Sequence, residues 1–306
     1  MKGGLALIVL AFASATPLAQ QVFRSGAEAV RVDVLVTDGR KPVGDLTARD
    51  FEVRDSGVPQ RIDSVNLDDV PLSVLLVLDV SYSMHGEPLA HLKDAASAVI
   101  DLLRPADRAA ILTFSEKLQL AARWTSDRSE LKHAFEGIEA RGSTSLYDAA
   151  YSALTLRDPL PGRPLVLIFS DGHDTLSWLP GQAVLDTARR SEAVVYGVGL
   201  KMDATLVPGY RLDFRSGPQP VRRIVSPSLM VEELLPHLAA DTGGKHLNAQ
   251  RSAALRDAFV QIVSEFRTRY LITYTPQGVE KGGWHPIDVK LKNKAGKVTA
   301  RRGYLR

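Results

Sequence analysis

Asp79-x-Ser81-x-Ser83 sets one carboxylate and two hydroxyls at alternate positions, directly after the apolar run Val74 to Leu78. All three are hard oxygen donors, suited to Mg²⁺ or Ca²⁺ rather than to a soft metal. Thr144 lies in the polar stretch Gly142-Ser143-Thr144-Ser145, and Asp171 in Ser170-Asp171-Gly172 after a second apolar run, Pro164 to Phe169. Neither run has helical spacing, which suits strands buried on both faces. In a parallel sheet the strand C-termini share one edge, where open α/β sheets bind ligands, so the three loops can converge. Two carboxylates and three hydroxyls are about what a six-coordinate Mg²⁺ needs, with water or a partner filling the remainder. Hydroxyls donate little charge, so the ion stays Lewis-acidic towards an incoming carboxylate.

Serine and aspartate after a strand are also helix-capping residues, and Asp79 and Ser83 alone read equally well that way. Thr144 and Asp171 favour the metal. Asp174 competes with Asp171 as the third-loop ligand. His85 and His173 lie near the site, and the hydroxyl-rich set makes them rim residues. Tyr82, between two candidate ligands, reads either as a partner contact or as a solvated loop aromatic. Asp148 reads as a first-turn helix charge, and Trp124 and Trp178 as packing residues.

The elements that must position these groups alternate from Ser73 onward. Strands at 74–79, 108–114, 164–169 and 193–198 are separated by helical stripes, such as Leu89, Leu92, Ala96, Val99 and Leu103. That alternation predicts an α/β fold with a mostly parallel sheet and helices on both faces. Leu118 to Arg123 reads as an antiparallel edge strand, Asp127 to Ile138 as a helix, and Ser252 as the cap of a last helix that ends near Arg269. Both flanks have period 2: Val30, Val32, Val34 and Val36 at the start, then Tyr270, Ile272 and Tyr274, and Ile287, Val289 and Leu291 at the end. The expected organisation is a β segment over 27–70, the α/β domain over 72–269, and a C-terminal β segment over 270–306 that packs with the first. The α/β domain is thus inserted in, or flanked by, a small β-sandwich. Residues 201–228, rich in Pro, Gly and Arg, show no period.

Residues 1–19 have the form of a secretory signal: Lys2, an apolar core from Leu5 to Ala13, then small residues. No later stretch is long and apolar enough to span a bilayer. The expectation is an exported protein, periplasmic or secreted, with no membrane span after signal cleavage. The chain of 306 residues has no cysteine, which excludes thiol catalysis and Cys-ligated zinc. A formal charge of +3 makes no case for a nucleic-acid partner.

Asp79-Val80-Ser81-Tyr82-Ser83, Thr144 in Gly-Ser-Thr-Ser-Leu-Tyr-Asp-Ala and Asp171 in Ile-Phe-Ser-Asp-Gly together resemble the metal-ion-dependent adhesion site of a von Willebrand factor type A (VWA) domain. All five positions match, and the resemblance covers about 72–269. Asp50-Phe-Glu-Val53 and Arg302-Gly-Tyr304 also resemble bacterial exported proteins in which such a domain is framed by short β segments. The family implies a doubly wound, Rossmann-like fold and Mg²⁺ (or Mn²⁺) held by Asp79, Ser81, Ser83, Thr144 and Asp171; Ca²⁺ suits the same oxygen donors. It also implies a protein partner whose Asp or Glu completes the metal shell. The expected function is a non-catalytic, adhesion-type binding module. The alternatives are a Mg²⁺-dependent hydrolase using Asp79 as nucleophile, which lacks a second carboxylate at Ser81, and a purely structural metal site. The sequence names neither the partner nor the oligomeric state.

Overall fold

A computed structural model describes residues 29–39, 41–67, 70–156, 158, 160, 162–171, 174–200 and 234–306. The expected signal (1–19), the aperiodic segment 201–228 and His173 lie outside the described residues.

In chain order the elements are β1 (Val30–Asp38), β2 (Lys41–Pro42), β3 (Phe51–Asp55), β4 (Val58–Gln60), β5 (Ile62–Asn66), β6 (Leu72–Asp79) and α1 (Glu87–Leu102). There follow β7 (Arg108–Phe114), β8 (Leu118–Thr125), α2 (Arg128–His133), α3 (Leu146–Thr155), β9 (Arg163–Ser170), α4 (Gly181–Arg190) and β10 (Val194–Leu200). The chain ends with α5 (Leu234–Thr242), β11 (His246–Ala249), α6 (Leu255–Arg267), β12 (Tyr270–Tyr274), β13 (Trp284–Leu291), β14 (Lys297–Thr299) and β15 (Gly303–Leu305).

The central sheet has the order β11-β10-β9-β6-β7-β8, parallel throughout except for antiparallel β8 at one edge. β6 lies at its centre, and every one of its residues is buried. Alternation decides which layer each side chain meets. Leu72, Val74, Leu76 and Leu78 pack with α1 and α6, through Leu92, Val99, Phe259, Ile262 and Phe266. Leu75 and Val77 pack with α3, α4 and α5, through Leu146, Ala150, Val184 and Leu238. The fold is therefore α/β, with a mostly parallel sheet covered by helices on both faces.

Among the described residues there are two smaller sheets. One has the order β14-β1-β12-β5, with β2 paired to β1; the other has the order β15-β13-β3-β4. β1 runs antiparallel to β12, with Val32 opposite Ile272. Thus the first strand and one that follows α6 share a sheet. Val32, Val34 and Val36 of β1 share a core with Phe51 and Val53 of β3 and Ile287 and Val289 of β13. Two half-apolar sheets bury their inner faces against each other.

Three local differences from the sequence pattern have physical causes. The helix expected over 127–138 is confined to Arg128–His133; turns follow, with Gly137 at φ +77°. Ser252 begins a 3₁₀ turn and does not cap α6, whose N-cap is Ala254. The Ser252 hydroxyl is instead 2.8 Å from His91 Nδ1 of α1. Trp178, expected to pack, is 81% exposed. Among the described residues no helix is long and apolar enough to cross a membrane.

Candidate metal centre

Asp79, the last residue of β6, is completely buried. Its Oδ1 accepts from Ser81 N at 2.9 Å, a local turn in which the side chain takes the role of a backbone acceptor. Tyr82–Met84 then form a 3₁₀ turn, with Met84 N bonded to Ser81 O at 3.0 Å. Met84 is buried in the core beside α1 and anchors the turn. This geometry brings Ser81 Oγ within 3.0 Å of Ser83 Oγ.

The loop 141–145 lies directly against this turn. Arg141 N donates to Val80 O at 2.9 Å, and Tyr82 N to Gly142 O at 3.0 Å. On its other side, Thr144 O accepts from Thr175 N at 2.8 Å and from Leu176 N at 3.0 Å, while Thr144 N donates to Thr175 Oγ1 at 2.9 Å. Thr144 is thus held between the first and third loops and is buried. β9 delivers the third contribution: Ser170 Oγ donates to Asp79 Oδ2 at 2.8 Å, and the next residue is Asp171.

Electrostatically the site is poised for a cation. Burial pushes the Asp79 carboxyl up to about 6, and the negative charge of Asp171 adds to the rise; hydrogen bonds from Ser81 and Ser170 oppose it. The described hydrogen-bond partners of Asp79 are the backbone amide and side chain of Ser81 and the hydroxyl of Ser170. Among the described residues no group of three or more His, Asp or Glu side chains gathers as a metal cluster. Among the described residues the hydroxyls of Ser81 and Ser170 bond to Asp79, and the donor set fits a hard divalent ion.

Ser81 bonds to Asp79 and meets Ser83, Asp171 is within electrostatic reach of Asp79, and the Thr144 main chain is bonded to the third loop while Arg141 and Gly142 tie its own loop to the first. Asp174 has another task. Its Oδ1 accepts from Ser177 Oγ at 2.5 Å and from Tyr147 N at 3.3 Å, at the start of α3. Asp148 accepts from Trp178 N and Leu179 N, so it fixes the third loop as well as charging the first turn of α3. Ser170, which no motif marks, directly precedes Asp171 and ends a strand beside β6.

The family model of the von Willebrand factor type A domain matches residues 74–173, the interval that holds Asp79, Ser81, Ser83, Thr144 and Asp171. The chain carries a VWA domain. Curated relatives agree. The inter-alpha-trypsin inhibitor heavy chain H4 of Bos taurus is 28% identical over 124 residues, 36% of this chain and 14% of that one. Its Homo sapiens counterpart is 21% identical over 235 residues, 70% of this chain and 22% of that one. The chain therefore spans only a small part of the length of these relatives. Among solved structures, a von Willebrand factor type A protein from Catenulispora acidiphila shares the fold. Its TM-score is 0.52 at 12% identity, covering 89% of this chain and 75% of that one.

Proposed function

We propose that the protein is a non-catalytic, metal-dependent protein-binding module acting outside the cytoplasm. VWA domains generally mediate metal-dependent protein–protein interaction. The observation that carries the reading here is the buried Asp79 carboxylate, facing the charge of Asp171 amid hydroxyls. Burying one carboxylate beside another is costly unless a cation compensates. In this reading Asp79, Ser81, Ser83, Thr144 and Asp171 hold Mg²⁺, with Mn²⁺ or Ca²⁺ as substitutes. A bound ion would supply positive charge and a Lewis-acidic position for an Asp or Glu carboxylate of a protein partner. Residues 72–269 form the binding domain, and 27–70 with 270–306 form the β-unit from which it is presented. Export follows from the signal-like form of residues 1–19.

Titration calorimetry with MgCl₂ and MnCl₂ tests the site. Wild type binds one ion; Asp79→Ala and Asp171→Ala do not, and Thr144→Ala binds more weakly. Equal binding by wild type and Asp79→Ala rejects the assignment. A pull-down from an extract of the source organism, with and without EDTA, tests the partner. Capture that is indifferent to both EDTA and Asp79→Ala rejects metal-dependent recognition.

A further inference from the structure

Two exposed aromatic residues stand on loops that flank the candidate metal centre. Tyr82 lies between Ser81 and Ser83 and is 67% exposed, its ring stacked with His85 at 6.1 Å between centroids. Trp178, on the third loop, is 81% exposed, and Leu176 beside it is 46% exposed. Their backbones are fixed: Tyr82 N bonds to Gly142 O, Leu176 N to Thr144 O at 3.0 Å, and Trp178 N to Asp148 Oδ2 at 3.0 Å. Both segments are therefore tied to the loop and helix start that carry Thr144, one on each side of it.

Large aromatics that stay mostly exposed forgo much of the stabilisation of burial, and aromatic anchors on a pre-ordered backbone are what protein interfaces use as binding hot spots. Charges of both signs lie on these loops: Arg141 and Glu116 are exposed at the 141–145 loop, and the carboxylates of Asp148 and Asp174 hold the third loop. We infer that the centre recognises a carboxylate set in an apolar context: a protein segment whose Asp or Glu is flanked, within about three residues, by aromatic or large aliphatic side chains that cover Tyr82, Leu176 and Trp178. At an extended-chain rise of about 3.3 Å per residue, such flanks reach roughly 10 Å to each side of the carboxylate. This inference rests on the metal-dependent reading.

The test uses immobilised synthetic peptides with one central Glu. One set has Phe and Leu flanks and the other Gly and Ser flanks, each with a Gln control, assayed in MgCl₂ and in EDTA. The expected result is Mg²⁺-dependent retention of the Phe/Leu set by the full chain, with no retention of the Gln controls. Trp178→Ala and Tyr82→Ala each weaken it by about tenfold or more, the scale of an interface hot spot. Mn²⁺ affinity, read by electron paramagnetic resonance, stays unchanged in both variants and certifies their folding. Equal retention of the Gly/Ser set, or unchanged peptide affinity in both variants, overturns the apolar rim and leaves the carboxylate reading standing. Failure of every Glu peptide to bind a chain that binds Mn²⁺, or retention in EDTA, overturns the metal-dependent reading itself.

Discussion

Arg163, the first residue of β9, and Asp33 of β1 form a buried ion pair that joins the central sheet to the β-sandwich. Arg163 Nε is 3.0 Å from Asp33 Oδ1, and both side chains are almost wholly excluded from solvent. The guanidinium also lies over the Phe266 ring at 5.0 Å and donates to Leu67 O. β9 thus begins on this pair and ends at Ser170, beside the candidate metal centre. Removing one partner strands the other charge in low dielectric. Asp33→Ala is expected to cost about 3–5 kcal/mol in urea unfolding, whereas Asp33→Leu combined with Arg163→Met recovers most of that loss. A single-variant cost under about 1 kcal/mol would show that the pair is not what joins the units.

The raised Asp79 carboxyl makes stability depend on pH and on metal. The folded state holds its proton up to about pH 6, while an unfolded Asp releases it near 3.8. In that window the native state binds more protons. Its stability therefore falls as pH rises from about 4 to 6, and then levels off. The deficit amounts to about 3 kcal/mol at most, from a shift of roughly two units. Asp79→Asn lacks this titration. In EDTA it should be more stable than wild type above pH 6, with the difference shrinking below pH 4. MgCl₂ should stabilise wild type at pH 7 and leave the variant unmoved. Parallel pH–stability curves for the two proteins would contradict the assignment.

Ser170 donates to the charged form of Asp79 and so favours ionisation. Ser170→Ala is therefore expected to move the Asp79 titration to higher pH and to weaken Mg²⁺ binding at pH 6 more than at pH 8. The hydrogen bond to a charged group has a scale of about 1.5–3 kcal/mol. Carbonyl-region spectroscopy of the Asp79 carboxyl against pH reads the shift directly. An unmoved titration would make Ser170 a packing residue only.

The central strands and the donor loops could be read from sequence because burial on both faces leaves a continuous apolar run, as in Val74 to Leu78, and because a strand end followed by Asp or Ser is locally marked. β11 left no such trace. It has four residues, Ala249 alone is fully buried, and parallel pairing to β10 holds it. Ser252 has the residue type of a cap, but its hydroxyl meets His91, 161 positions away, and no local pattern reports such a contact. Trp178 illustrates the same limit. Its outward placement depends on Asp148 holding the backbone of a loop without period.

Another buried carboxylate, Asp55 of β3, has a different environment and so a different expected response. Its Oδ2 accepts from Tyr274 OH of β12 and from Tyr304 OH of β15, both at 2.9 Å, and its Oδ1 lies 3.0 Å from His285 Nδ1 of β13. Four strands from both ends of the chain meet on this one side chain. Burial and the Asp55 charge push both tyrosine hydroxyls up, so they remain donors throughout the physiological range. Asp55→Ala removes the acceptor of four groups, Tyr274, Tyr304, His285 and the Ser56 hydroxyl, and should cost at least about 3 kcal/mol, since each stranded buried group costs about 1–3 kcal/mol. Tyr304→Phe should cost about 1 kcal/mol. Because the two hydroxyls share one oxygen, Tyr274→Phe and Tyr304→Phe should be non-additive by about 0.5 kcal/mol or more in a double-mutant cycle of urea unfolding. Strict additivity would mean that the strands are held by packing and that Asp55 acts on each tyrosine separately.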